Sequence, residues 1–124
     1  MIENNFKQKK TGSGELRTPV SFYAYKPNNG PDPGEDELEK IFQCFCEVYA
    51  SSSKDLAIIA SKNIATSNTA TVRIRDSFGE FYPVTENYAE LHDYRFKDIR
   101  WNVVDVRPDL VENDFITVVL AVID

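Results

Sequence analysis

A chain of 124 residues with 42% hydrophobic and 27% charged side chains has the size and composition of one globular domain, which excludes wholesale disorder. Acids outnumber bases by 20 to 14, and the resulting net charge of −6 argues against a dedicated binder of nucleic acid. Two Cys and one His are too few for a disulfide scaffold, and they leave a transition metal short of ligands.

The first fourteen residues read as a polar, Lys-rich arm, and 15–124 as one folded domain. From Glu3 to Arg17 the charge is net positive, opposite to the rest of the chain. The arm is therefore either a frayed terminus or a basic segment that docks on an acidic partner or on DNA. It lacks the apolar run of a signal peptide. The longest apolar stretch, Phe115 to Ile123, falls far short of the roughly twenty residues of a membrane span. The expectation is a soluble chain made and kept in a reducing cytosol.

Val20 to Tyr25 alternates and is rich in aromatics, the pattern of a strand. Three Pro and two Gly between Pro27 and Gly34 stop it. Acids from Asp32 to Glu39 follow, without the ordered ligand spacing of a calcium loop, and read as a solvated hairpin tip. The second strand, Ile41 to Ala50, sets Phe42, Cys44, Cys46, Val48 and Ala50 on one apolar face. Cys44 and Cys46 point the same way about 6.6 Å apart, poor geometry for a disulfide, and read as buried thiols.

Ser51 to Asn68 then interrupts the sheet. Ser52 and Asp55 stand at capping-box spacing, and Leu56, Ile59, Ala60 and Asn63 at helical spacing, so a short helix is followed by a polar loop, Lys62 to Asn68. The third strand is Thr69 to Arg75, with Ala70, Val72 and Ile74 inward. A turn runs from Asp76 to Glu80. Phe81 to Asn87, with Pro83, is an edge strand or a loop. Tyr88 to Phe96 reads as one alternating segment with Tyr88, Glu90, His92, Tyr94 and Phe96 on one side. Ile99 to Val106 switches face at Val103-Val104, which implies a bulge or cover on both sides.

The last strand, Phe115 to Ile123, is apolar on both faces where a half-exposed strand would alternate with polar residues. One face belongs in a core. The other needs the short helix near Leu56 or a neighbouring subunit, and Ile116, Val118, Leu120 and Val122 are the candidate interface set. Altogether the pattern predicts an all-β chain: a small antiparallel barrel or sandwich with one short helix and a long connection between its second and third strands.

No nucleophile-elbow, zinc-protease, P-loop or dinucleotide motif occurs, and no catalytic, cofactor or metal site is predicted. His92 is the one imidazole available to an enzyme, beside aromatics that suit a structural role. Tyr23 and Tyr25 with Arg73 and Arg75 would suit a barrel that stacks single-stranded bases, an alternative reading.

The motif order resembles a known group. Gly14-Glu15-Leu16-Arg17, Cys46-Glu47-Val48, Ser53-Lys54-Asp55-Leu56, Thr71 to Asp76, His92 to Phe96 and Ile99 to Val106 follow one another as in the head–tail connector proteins of tailed bacteriophages, the head-closure or head–tail joining group. The resemblance implies a structural virion protein without enzymatic activity. It would form a homo-oligomeric ring in the neck, assembled in the host cytoplasm, between a portal-adaptor ring and the tail terminator or tail tube. Phage DNA would pass through without sequence-specific binding, and no membrane or cofactor would be involved. By position, the stopper segment would include Ser51, Ser52, Ser53, Lys54, Asp55, Leu56, Lys62, Asn63, Thr66 and Asn68.

Overall fold

A computed structural model describes residues 16–26, 37–62, 66–111 and 114–123. The basic arm, most of the first hairpin tip and Asn63 lie outside the described residues. In chain order the elements are β1 (Thr18–Lys26), β2 (Glu37–Tyr49), α1 (Ser53–Ser61), β3 (Thr66–Arg75), β4 (Tyr88–Leu91), β5 (Trp101–Pro108) and β6 (Phe115–Ile123). The six strands, antiparallel at every pairing, close into a barrel in the order β1-β2-β3-β6-β5-β4, with β4 returning to β1. The all-β expectation holds, with one α-helix between the second and third strands.

Period-two alternation fills the interior. Val20 and Phe22 of β1, Cys46 of β2, and Ala70, Val72 and Ile74 of β3 meet Leu91, Trp101, Val103 and the inner residues of β6 in one core. Phe42 stacks on Phe81 at 4.6 Å between centroids, and Phe22 lies 5.1 Å from the same ring. Phe81 therefore seals the core from a segment that is loop, not strand. The turn before it uses left-handed backbone at Phe78 (φ 54°) and Gly79 (φ 109°).

Several boundaries differ from the sequence pattern. β2 begins at Glu37 rather than Ile41, because Lys26 pairs with Glu37 and the ladder extends into the acidic stretch. A bulge between Phe22 and Tyr23 accommodates it. β2 contacts β3 only from Cys46 to Tyr49, so its first nine residues carry β1 on one side alone among the described residues. β3 begins at Thr66, paired with Ile123, so Thr66 and Asn68 are strand rather than loop. The segment from Tyr88 does not run to Phe96: it ends at Leu91, and a 3-10 helix occupies Tyr94–Phe96. Asp93 caps that helix through the Arg95 amide and grips the Arg95 guanidinium at 2.9 Å, which breaks the alternation. Tyr94 is 88% exposed and His92 is exposed, so neither shares a packed aromatic face.

The doubly apolar β6 is covered by its own chain. Ile116, Val118 and Leu120 are buried in the barrel core and Val122 packs against it. On the opposite face Val119 and Ala121 meet Ile59 of α1 and Val104 of β5 in a second cluster. The interface set named from the sequence is therefore interior, and the helix supplies the outer cover. The bulge expected at Val103-Val104 is present, with Val103 turned to the first cluster and Val104 to the second.

Candidate functional site

The segment joining β2 to β3 is held against the barrel wall by a polar network. Ser52 caps α1 by accepting from the Asp55 amide at 3.2 Å, and the Asp55 carboxylate accepts from the Ser52 amide at 3.2 Å. This capping box satisfies two donors that the helix start would leave open. Asp55 does more than cap. It is 2% exposed, its Oδ2 accepts from Thr71 Oγ1 at 2.8 Å, and its Oδ1 pairs with the Arg107 guanidinium of β5. Burial would raise this carboxyl. The hydrogen bonds from Thr71 and Ser52 and the charge of Arg107 outweigh it and hold the group below the usual carboxylate range.

One buried carboxylate thus ties the helix start to two strands. Toward the other end of α1, Ile59 packs into the second cluster and Lys62 Nζ donates to the Val104 carbonyl. Leu56, set with Ile59 at helical spacing in the sequence, points to solvent at 47% exposure. Of the residues assigned by position to a stopper segment, Asp55 is fixed in this network, Ser51 Oγ lies 3.1 Å from Thr71 Oγ1, and Ser52 caps the helix. Ser53, Lys54 and Leu56 face water. Sequence reasoning found the Ser52–Asp55 pair but not Thr71 or Arg107, which only the barrel's closure brings beside it.

Two other constellations resolve differently. Ser21 Oγ lies 2.8 Å from His92 Nε2, and His92 Nδ1 lies 3.5 Å from Glu90 Oε1. Hydroxyl, imidazole and carboxylate follow in the order of a nucleophilic triad. Ser21, however, is 0% exposed, so no substrate reaches it in this conformation, and the chain ties the exit of β4 to β1. The tyrosines and arginines of the base-stacking alternative do not converge. Tyr23 sits opposite Lys40 of β2 and Arg73 opposite Glu47, about 23 Å apart along the strand at its usual rise. Tyr25 instead packs edge-on against Tyr88, with Arg100 over the Tyr88 ring at 5.9 Å.

Cys44 and Cys46 are free thiols on the inner face of β2. Burial pushes the Cys44 thiol up to about 11, and pushes Cys46 up as well, with the neighbouring Cys44 adding to the effect. Both are poor nucleophiles and poor metal ligands in that state. Among the described residues no group of three or more His, Cys, Asp or Glu could hold a metal ion.

No family model and no curated protein matches the sequence. Solved structures do match the fold. Protein SF1141 of Shigella flexneri 2a superposes with a TM-score of 0.64 at 15% identity, covering 90% of this chain and 96% of that one. A chain in the virion of a native gene transfer agent particle superposes with a TM-score of 0.53 at 10% identity, over 87% of this chain and 96% of that one. The barrel is a shared architecture. At these identities the likeness is one of fold alone.

Proposed function

We propose that the protein is a structural component of a phage-like particle, a ring-forming barrel at the head–tail interface that closes the DNA channel after packaging and offers a surface to the tail. The observation that carries this reading is the barrel's likeness to a virion chain over 96% of that chain's length. The order of short motifs along the sequence, similar to that of head–tail connectors, supports it independently. A net charge of −6 suits a wall past which DNA slides without being gripped. The partners would be further copies of the chain, a portal-adaptor ring on one side and the tail terminator or tail tube on the other.

The apolar side chains of β6 from Ile116 to Val122 offer no ring contact, since they are covered internally. The apolar side chains that remain in water lie elsewhere. Phe78 at the turn after β3, and Leu110 and Val111 at the turn between β5 and β6, are among the most exposed large apolar groups. The Asp76 amide donates to the Asp114 carbonyl at 2.8 Å, so the two turns sit at one end of the barrel. In this reading that end is a contact surface between rings. The segment Ser51 to Asn68 is the channel-facing element, and α1 would leave the wall only by breaking the Asp55–Arg107 pair.

The test is to mix purified protein with filled, tailless particles that carry a portal and adaptor. Retention on the particles, with a ring of density at the portal vertex in electron micrographs, is expected. Phe78→Ser combined with Leu110→Ser should reduce retention. A monomer in free solution is compatible with the reading, whereas failure to bind such particles refutes it.

A further inference from the structure

The basic segment ahead of β1 has no part in the assembly reading, and β2 has a side to which nothing described is paired. β2 pairs with β1 from Glu37 to Cys46 but meets β3 only from Cys46 to Tyr49, so among the described residues 37–45 are paired on one side alone. Backbone N–H and C=O groups along such a rim are a template for another extended chain. The charges on it narrow the choice of chain. Register sets Glu37 opposite Lys26 and Glu39 opposite Ala24, so the two carboxylates share one face of β2, two residues apart. Both residues are exposed, and the 3.7 Å Lys26–Glu39 ion pair joins groups that are each more than half exposed, so it contributes little. The sequence holds a matching pattern in Lys7 and Lys9, also two apart, in a basic stretch of a chain that is acidic as a whole.

We propose that Asn5 to Lys10 of one copy adds as a strand to the β2 rim of a neighbouring copy, with Lys7 and Lys9 against its Glu39 and Glu37. In the antiparallel register that does this, Gln8 falls beside Leu38 and Phe6 beside Lys40 on the other face, so the rim's own cation meets an aromatic ring rather than a lysine. Opposite charges across adjacent strands favour the pairing. A chain without the lysines would desolvate both acids unanswered. A molecule is poorly placed to use its own arm. Thr18 pairs with Cys46, at the end of the rim away from Glu37, so an arm entering there would lie parallel to β2. That is the weaker pairing, in a barrel whose described pairs are all antiparallel. A neighbour can approach from the Glu37 end. Thr18 lies nine positions after Lys9, and that length reaches about 30 Å when extended, enough to leave one barrel and run along another. The inference asks only that copies meet, so it does not depend on the assembly reading.

The experiment mixes isotope-labelled protein with unlabelled protein carrying a nitroxide at Asn4→Cys, and reads the broadening of backbone amide signals in the isotope-labelled copies. These copies bear no nitroxide, so another molecule's arm must cause it. Protein without the substitution, treated with the same reagent, corrects for Cys44 and Cys46. Broadening concentrated in residues 37–45 is expected. Adding Lys7→Glu and Lys9→Glu to the nitroxide copy should weaken the contact about tenfold, two exposed ion pairs turned to repulsion. Glu37→Lys with Glu39→Lys in the isotope-labelled copy should then restore it. Lys7 and Lys9 precede the first described residue, so reversing them removes no contact of the described barrel. Broadening that spreads over the surface, spares 37–45 or ignores the charge reversals overturns the proposal. So does broadening of 37–45 that arises only when one molecule carries both labels, which would assign the rim to its own arm.

Discussion

Replacing Asp55 by Asn keeps the side chain's shape and removes its charge. In the native protein the carboxylate completes a capping box, worth about 1 kcal/mol. It also accepts a buried bond from Thr71, a charge-assisted contact of about 1.5–3 kcal/mol. The Arg107 side chain is 30% exposed, so water screens that pair to about 1 kcal/mol. These contributions share one group and do not simply add, and the expected loss is about 2–4 kcal/mol at pH 7. Urea unfolding followed by fluorescence reads it directly, because Trp101, the one tryptophan, is fully buried. The pH dependence has a definite sign. The folded carboxyl titrates below its unfolded value of about 3.9, so its contribution is complete above that pH and disappears as pH falls through the folded value. Asp55→Asn lacks this dependence, and the gap between the two proteins should close in acid. A gap under about 0.5 kcal/mol at pH 7, or one unchanged down to about pH 2, refutes the reasoning.

Ile59→Ala should cost about 2–4 kcal/mol by opening a void under α1, and hydrogen exchange in 53–61 should accelerate ahead of the barrel. Leu56→Ala, one turn away but half exposed, should change stability by under about 1 kcal/mol, and an equal effect of the two would contradict the helix's orientation. In native protein at pH 8, Cys44 and Cys46 should resist a thiol-specific disulfide reagent and react at once on unfolding; rapid native labelling would show that the inner face of β2 is accessible. Phe81→Ala should lower the urea midpoint by an amount equivalent to about 3–4 kcal/mol, since its ring stacks on Phe42 and touches Phe22, and a surface-like effect would mean that the loop does not seal the core.

Alternation made the inner faces of β1, β2 and β3 readable in advance, because a strand with one wet side must repeat every two residues. The capping box was readable for a similar reason: both partners lie within one turn. What stayed hidden depends on closure. Arg107 reaches Asp55 from 52 positions along the chain, and nothing local to either residue announces the pairing. β6 illustrates the opposite error. Its two apolar faces were correctly taken to need two covers, but periodicity does not say whether a second cover comes from the same molecule. Ile59 provided it here. The extended reading of 88–96 failed because Asp93 offers the backbone a competing local hydrogen bond, which stops the strand after four residues.

The overhang of β2 has a consequence for colloidal behaviour. From Glu37 to Phe45 its far rim, unpaired among the described residues, presents backbone N–H and C=O groups to which any extended polypeptide could zip, identical molecules included. Glu37, Glu39 and Lys40 stand in water along that stretch, so an intruding chain would have to strip hydration from ionised groups before it gained a ladder. These three side chains add little to the barrel's own free energy, yet they act as gatekeepers against fibril growth, a protection that matters most where many copies crowd together.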